Sequence, residues 1–243
     1  MFDNFGQQLY DNIIKDDRWK WYLEGLGNTL IMTLGAVVIG VVIGCLLAIC
    51  KVTAANRKSQ RIGRISFLDV LWKILSGISS FYLTIVRGLP TVVLLMMFVN
   101  IIFQAVDIKL SLYIAMLAFG VNSGAYVAEI IRSGIMAVDK GQTEAGRSLG
   151  LNSATTMQII VLPQAIKNIL PALFNEMITL LKETSVAGYA AIVDLTYQAT
   201  LIRSRTFSVV PLLVIGLIYI LMVTILSLLL KRLERRLAKS DNR

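Results

Sequence analysis

The chain has 243 residues, 56% of them hydrophobic, and carries 24 Lys+Arg against 15 Asp+Glu for a formal charge of +9. Several apolar runs approach or exceed the roughly 18–20 residues that cross a bilayer, which points to a polytopic membrane protein and not to one or two soluble domains. It has no histidine, which excludes imidazole catalysis and His metal sites, and its two cysteines, Cys45 and Cys50, sit inside an apolar run as buried packing residues.

Residues 1–20 hold Asp3, Asp11, Asp16 and Asp17 where a cleavable signal needs a basic start and an apolar core, so insertion is expected to rely on the spans themselves. Phe2, Phe5, Leu9 and Ile13 fall at helical spacing, which suits an interfacial amphipathic segment, with a solvated tail as the alternative. Trp19, Trp21 and Tyr22 mark the entry into the membrane interface. A first span runs from about Leu26 to Cys50. Along it Ala36, Gly40, Gly44 and Ala48 recur every fourth residue, a smooth stripe that another helix can approach closely. The span ends in Lys51, Arg57, Lys58, Arg61 and Arg64, a basic cluster with no acid nearby.

From Ile65 to Val86 the sequence is apolar but interrupted by Asp69, Lys73 and several serines, and then meets Arg87-Gly88-Leu89-Pro90. Thr91 to Ala105 is cleaner. One long or bent helix with its turn at Gly88 and Pro90 fits best, since two separate spans would upset the charge pattern. Arg87 is expected to pair with an acid or a headgroup. A short outer loop around Asp107 and Lys109 leads into a third span, about Leu110 to Ile131, whose middle, Gly120 to Gly124, reads as polar and flexible. Glu129 and Arg132, at i and i+3, can pair at its end.

A polar stretch, Gly141 to Ala165, then stands between apolar runs. Gln142 to Leu149 reads as a short helix stopped by Gly150 in the left-handed conformation. Asn152 or Ser153 caps a second helix that is interrupted at Pro163. Glu144 and Arg147 lie one turn apart and can face a partner together. Span four covers about Pro171 to Ala191, an outer connection with Asp194, Arg203 and Arg205 follows, and span five covers about Phe207 to Leu230. The chain closes on Lys231, Arg232, Arg235, Arg236 and Lys239. Counted this way the fold is all-α, a polytopic helical membrane protein of about five transmembrane helices. The positive-inside rule puts the N-terminus outside and the C-terminus in the cytoplasm. Its divisions are an interfacial segment over 1–20, a membrane domain over 21–230 with the polar stretch at 139–163, and a basic cytoplasmic tail over 231–243. The charge thus follows the membrane, and no nucleic-acid partner is expected.

Gly141 to Ser148 nearly fits the phosphate-binding GxxxxGK[ST] loop, but Arg147 replaces the lysine and no buried strand precedes the first glycine. The chain is therefore not expected to be an ATPase. Glu144-Ala145-Gly146, Gly150 and Leu162-Pro163 instead resemble the "EAA" signature of ABC-importer permeases. With Ala125 to Ile130, Arg132, Gly141-Gln142, Leu162 to Ala165, Leu181-Lys182 and Thr184-Ser185 added, the sequence resembles the branch that imports polar amino acids. The likeness covers about Phe81 to Asp194 well and the rest loosely, with Gly146 departing from the usual alanine and expected to add flexibility.

The resemblance implies a multi-pass permease subunit of the bacterial plasma (inner) membrane. Gln142, Glu144, Ala145, Arg147 and Gly150 would form a coupling helix docked on a separate cytoplasmic ATPase. That ATPase would use ATP and Mg, and this chain would hold no cofactor and perform no covalent chemistry. The permease would pair with itself or a related permease in the lipid bilayer, and an extracytoplasmic binding protein would deliver the amino acid.

Span four carries the candidate substrate chemistry. A charged residue near the bilayer centre costs about 2.5–3.5 kcal/mol on insertion scales, so Glu176, Lys182 and Glu183 must face protein or water. Glu176, Thr179 and Glu183 share one helical face, while Lys182 points about 100° away from Glu183. Glu183 is therefore a candidate acceptor for an ammonium or cationic side chain. Asn122, Ser123, Ser185 and, more weakly, Asn100 are candidate neutral hydrogen-bonding groups. The alternative is that Glu183 completes a structural ion pair, for example with a partner subunit's lysine. If Glu183 is the ligand, a basic amino acid is the favoured cargo, glutamine or another polar amino acid being the other reading. An ion-coupled secondary transporter would need its own coupling site and usually an internal repeat, which the sequence does not display. An intramembrane enzyme lacks a nucleophile–base set. A non-transporting membrane subunit would dock an ATPase without moving solute.

Overall fold

The computed structural model describes residues 5–60, 66–107 and 110–239; Phe2, Asp3, Arg61, Arg64, Ile65, Lys109 and the last residues of the basic tail lie outside it. The described residues are helical almost throughout and contain no strand. The longer α-helices among the described residues are α1 (Arg18–Gln60), α2 (Phe67–Gly88), α3 (Thr91–Met97), α4 (Ser111–Met136), α5 (Lys140–Ser148), α6 (Leu162–Glu183), α7 (Leu195–Thr206) and α8 (Val210–Lys239). Among the described residues five helical stretches are long and apolar enough to cross a membrane: Gly6–Lys58, Phe67–Gly88, Ser111–Met136, Ser153–Ala190 and Val210–Lys239.

Packing divides the chain into two compact units. The first comprises Met1–Val38, Pro90–Gly120 and Met177–Leu229, the second Ile39–Leu89, Val121–Glu176 and Leu230–Arg243.

In the first unit, Met32, Ala36, Leu95, Ala115, Phe119, Leu180 and Ile192 form one buried cluster. Tyr22, Leu195, Ala199, Ile202 and Ile215 form another. The N-terminal segment is helical from Phe5, turns through Asp16 and Asp17 at φ of 56°, and is held to the start of α1 from the Arg18 guanidinium, which donates to the Asp11 carbonyl and to Asp16. The connection expected after α6 is mostly helix. Asp194 caps α7 by accepting from the Tyr197 amide at 2.6 Å, and the i, i+4, i+7 series Leu195, Ala199, Ile202 is fully buried. That segment is bound to the start of α1: Asn28 donates to the Val193 carbonyl at 2.8 Å, the Leu195 amide to Thr29 at 3.1 Å, and Gln198 to Glu24 at 2.9 Å.

In the second unit the small-residue stripe does what its spacing implies. A Cβ on Gly40 would lie 3.0 Å from the Ser123 side chain and one on Gly44 2.5 Å from Val127, so α1 and α4 touch nearly backbone to backbone. The same contact corrects the expectation of a flexible Gly120–Gly124: the stretch is regular helix, with Asn122 and Ser123 each 1% exposed and Gly124 pressed on Ile43. Tyr82 donates to the Val121 carbonyl at 2.5 Å and fastens α2 to α4. The expected bend at Gly88 and Pro90 is a full break, because Leu89 and Pro90 are both extended and end α2 before α3 begins. Arg87 lies 5.6 Å over the Tyr126 ring, a cation–π contact, and of the expected acid or headgroup no acid lies within 4 Å among the described residues. Cys45 and Cys50 are half-buried free thiols, less enclosed than expected.

Candidate functional site

The polar stretch folds as a capped knob within the second unit. Asp139 opens α5 by accepting from the Gly141 amide at 2.6 Å. At the other end Gly150 adopts φ of +80°, its amide donates to the Arg147 carbonyl at 3.0 Å, and the Leu151 amide reaches the Gly146 carbonyl at 3.1 Å. These two bonds make the glycine-terminated stop that the sequence predicts. Asn152 then caps the next turn through the Thr155 amide at 2.9 Å. Because Gly141 to Ser148 are helical, the near-match to a phosphate loop forms no phosphate cradle.

Pro163 does not interrupt the second helix. A wide π-helical turn over Met157–Val161 precedes it, and α6 runs from Leu162 through both Pro163 and Pro171. The π turn opens the ladder where the proline ring would otherwise strike the carbonyl four residues back. Gly146 also has a packing reason in place of the expected flexibility. It is the buried residue of α5, and a Cβ there would meet Thr156 at 2.8 Å and Ile160 at 2.9 Å. Its small size seats α5 directly on the following turns. Gln164 donates to Gln142 at 3.3 Å across the same junction.

With that side sealed, Gln142, Glu144, Ala145, Arg147 and Gly150 are all exposed. Leu149 stands beside them at 80% exposure. Sequence reasoning passed over Leu149 as an end-of-helix residue. Its signal was a large apolar side chain next to a glycine stop in an otherwise polar helix.

The candidate substrate residues are distributed over both units. In the first, Glu183 ends α6, is half-buried, and accepts from the Thr91 hydroxyl at 3.4 Å. Thr91 was not anticipated; it is the first residue after the Pro90 break, where a helix start places a short polar side chain. Ser185 turns its hydroxyl back to the Lys182 carbonyl at 2.6 Å, and Asn100 donates back to the Met96 carbonyl at 3.0 Å. Both are thus engaged by their own turns. In the second unit Ser123 donates to Glu176 at 2.9 Å, which makes Glu176 the partner of a candidate residue, and Asn122 is fully buried next to it in sequence. The expected pair forms at the end of α4, where Arg132 Nε lies 3.0 Å from Glu129.

Residues 70–239 match the family model described as "Binding-protein-dependent transport system inner membrane component". The chain is 36% identical over 221 residues to the "Arginine transport system permease protein ArtQ" of Bacillus subtilis, an alignment covering 90% of this chain and 93% of that protein. It is also 36% identical over 217 residues to the "Putative glutamine transport system permease protein GlnP" of Rickettsia typhi, covering 88% and 92%. Among solved structures, "Crystal structure of an amino acid ABC transporter with histidines" superposes with a TM-score of 0.80 at 37% identity, covering 97% of this chain and 99% of that one. Members of this family are transport subunits that work with a separate ATPase and a binding protein, and they are not enzymes. With five apolar crossing helices and a capped polar knob between two of them, the chain belongs to the binding-protein-dependent inner-membrane transport components, as a multi-pass permease subunit of an ABC importer.

Proposed function

We propose that this permease imports polar amino acids, with a preference for cationic ones, by alternating access in a dimer of permease subunits. The observation that carries the substrate class is Glu183, a half-buried carboxylate at the end of a crossing helix with the Thr91 hydroxyl beside it. A carboxylate so placed suits an ammonium or guanidinium group, which needs an acceptor once its water is removed. The relatives named for arginine and glutamine transport support an amino-acid cargo and divide on its charge. Asn122, Ser123, Ser185 and Asn100 remain secondary candidates, the last two with their polar groups already engaged locally.

The exposed face of α5, with Gln142, Glu144, Ala145, Arg147 and Gly150, supports docking on a cytoplasmic ATPase that binds ATP and Mg, with no cofactor in this chain. In this reading the N-terminus lies outside and the C-terminus inside. Residues 1–20 rest at the interface, 21–230 form the permease, and 231–243 are a cytoplasmic tail. ATP-driven closure of the ATPases would move the knob and tilt the spans.

The test is equilibrium binding of labelled arginine to the purified permease, challenged with lysine, histidine, glutamine and glutamate. Competition by cationic amino acids alone, lost in Glu183→Gln with thermal stability retained, is the expected result. Preference for glutamine, or binding unchanged by the substitution, would move the cargo to neutral amino acids and return Glu183 to a structural role.

A further inference from the structure

The second unit contains a cleft that neither the knob nor the candidate substrate residues use. One cavity of about 840 Å³ is lined by Lys51, Arg57 and Lys58 from α1, Asp69 and Lys73 from α2, and Arg132 from α4. A second, of about 970 Å³, shares Val52, Asn56, Arg57, Asp69, Ile135 and Met157 with the first and continues along Cys45, Ala48, Ile49, Ile131 and Leu162, with Thr53, Ser153 and Gln158 also on its wall. The residues that line the first alone include four cations, and those that line the second alone are uncharged and mostly apolar. The change falls where the helices themselves change, from Cys50 to Lys51 on α1 and from Ile131 to Arg132 on α4. That is the level at which a lipid headgroup meets its acyl chains.

Charge sets the occupant. Five cations line the basic cavity against one acid, Asp69, which pairs with Arg57 at 3.3 Å. Arg132 is paired with Glu129, just beyond the lining. Lys51, Lys58 and Lys73 make no ion pair within 4 Å among the described residues. Counting Glu129 with the cavity still leaves an excess of positive charge. A zwitterionic lipid would bring its own cation into that field, and a soluble anion would leave the apolar arm empty.

We infer that this cleft is a binding site for an anionic phospholipid, its phosphate held by Lys58 and Lys73 with Lys51 behind them, and an acyl chain lying along Ala48, Ile49 and Ile131. Such a lipid clamps the ends of α1, α2 and α4 beside the knob, so its occupancy stiffens the part of the permease that receives force.

The experiment is native mass spectrometry of the full-length permease in detergent, titrated with phosphatidylglycerol, with phosphatidylcholine, and with glycerol 3-phosphate as the free headgroup. Phosphatidylglycerol is expected to stay bound where phosphatidylcholine does not. Each basic residue near an anionic headgroup is worth roughly fivefold, so Lys58→Gln with Lys73→Gln should weaken binding roughly 25-fold. Both lysines are exposed, so folding is expected to survive. Lys231→Gln with Arg232→Gln removes the same charge from α8 and should change nothing. Equal loss in that control, or no loss in the cleft variant, overturns the site. Glycerol 3-phosphate binding the wild-type chain as tightly as the lipid would make the ligand a soluble phosphate ester and overturns the lipid assignment.

Discussion

Two polar connections join crossing helices in this permease, and they are built in opposite ways. The segment after α4 turns its polar residues outward: Gly146 alone is buried in α5, while Gln142, Glu144, Arg147 and Leu149 face solvent. The segment after α6 turns inward, burying Asp194 completely, Gln198 to 5% and three apolar residues of α7. Both are polar interruptions in an apolar chain. The difference teaches that polarity marks a connection, whereas what the connection does depends on whether its caps are solvated or enclosed. The enclosed one should be sensitive to small changes that the open one tolerates, and the open one should carry the losses in partner binding.

The largest effect should come from Gly25→Ala. Its new Cβ would stand 2.8 Å from the Asp194 carbonyl oxygen and 2.8 Å from the Leu195 Cα, both backbone atoms that cannot swing aside. The cost should reach about 3 kcal/mol, the upper end of the range for overpacking, read as a fall in melting temperature in detergent. A melting curve like that of the unsubstituted chain would mean that α7 is not seated on α1.

Next is the pH dependence of that seat. Burial pushes the Asp194 carboxyl up to about 6 from 3.8, against the pull of the Tyr197 and Thr196 hydrogen-bonding groups. A carboxyl raised in the folded state holds its proton more tightly there than in the unfolded chain. Its contribution to stability is complete below about pH 4 and is lost as the pH rises through 6, by about 2–3 kcal/mol. Asp194→Asn keeps a capping side chain and removes the titration. Thermal stability measured from pH 4 to pH 7.5 should therefore fall less steeply in the variant than in the wild type; parallel profiles would refute the linkage.

On the open connection, Leu149→Asp should leave the melting temperature nearly unchanged, because the side chain is 80% exposed. It should weaken capture of the ATPase subunit by about 2 kcal/mol, roughly thirtyfold, as expected for an apolar anchor at an interface. Full affinity in the variant would place docking elsewhere. The smallest effect sharpens the first: a Cβ on Gly27 meets nothing within 4 Å, so Gly27→Ala should stabilise by less than about 1 kcal/mol through helix propensity alone. Opposite signs at two glycines two positions apart would locate the contact on one face of α1.

Much of this arrangement was legible in the sequence because it rests on local rules. Apolar length gave the crossing helices, Gly150 gave the left-handed stop, Asn152 gave a cap, and the four-residue spacing of Gly40 and Gly44 gave a close helix contact. What was not legible depends on tertiary partners. Nothing local distinguishes Asp194 as a buried cap from an aspartate in a loop, since its burial is set by α1, which is distant in sequence. Pro163 reads as a breaker until the π turn ahead of it is seen. Gly146 reads as flexible until Thr156 and Ile160 occupy the space a methyl would need. Glu183 stands out in the sequence as a carboxylate on an apolar helix, but its Thr91 contact joins residues 92 apart in sequence, and no helical periodicity relates them.

The most direct measurement is uptake of labelled arginine by proteoliposomes containing the permease, with the ATPase subunit, the binding protein and ATP each supplied or withheld. Uptake should require all of them and should collapse in Leu149→Asp while the protein remains folded. Uptake that persists without the ATPase, or is indifferent to Leu149→Asp, would contradict the central claim that force enters this permease through the exposed face of α5.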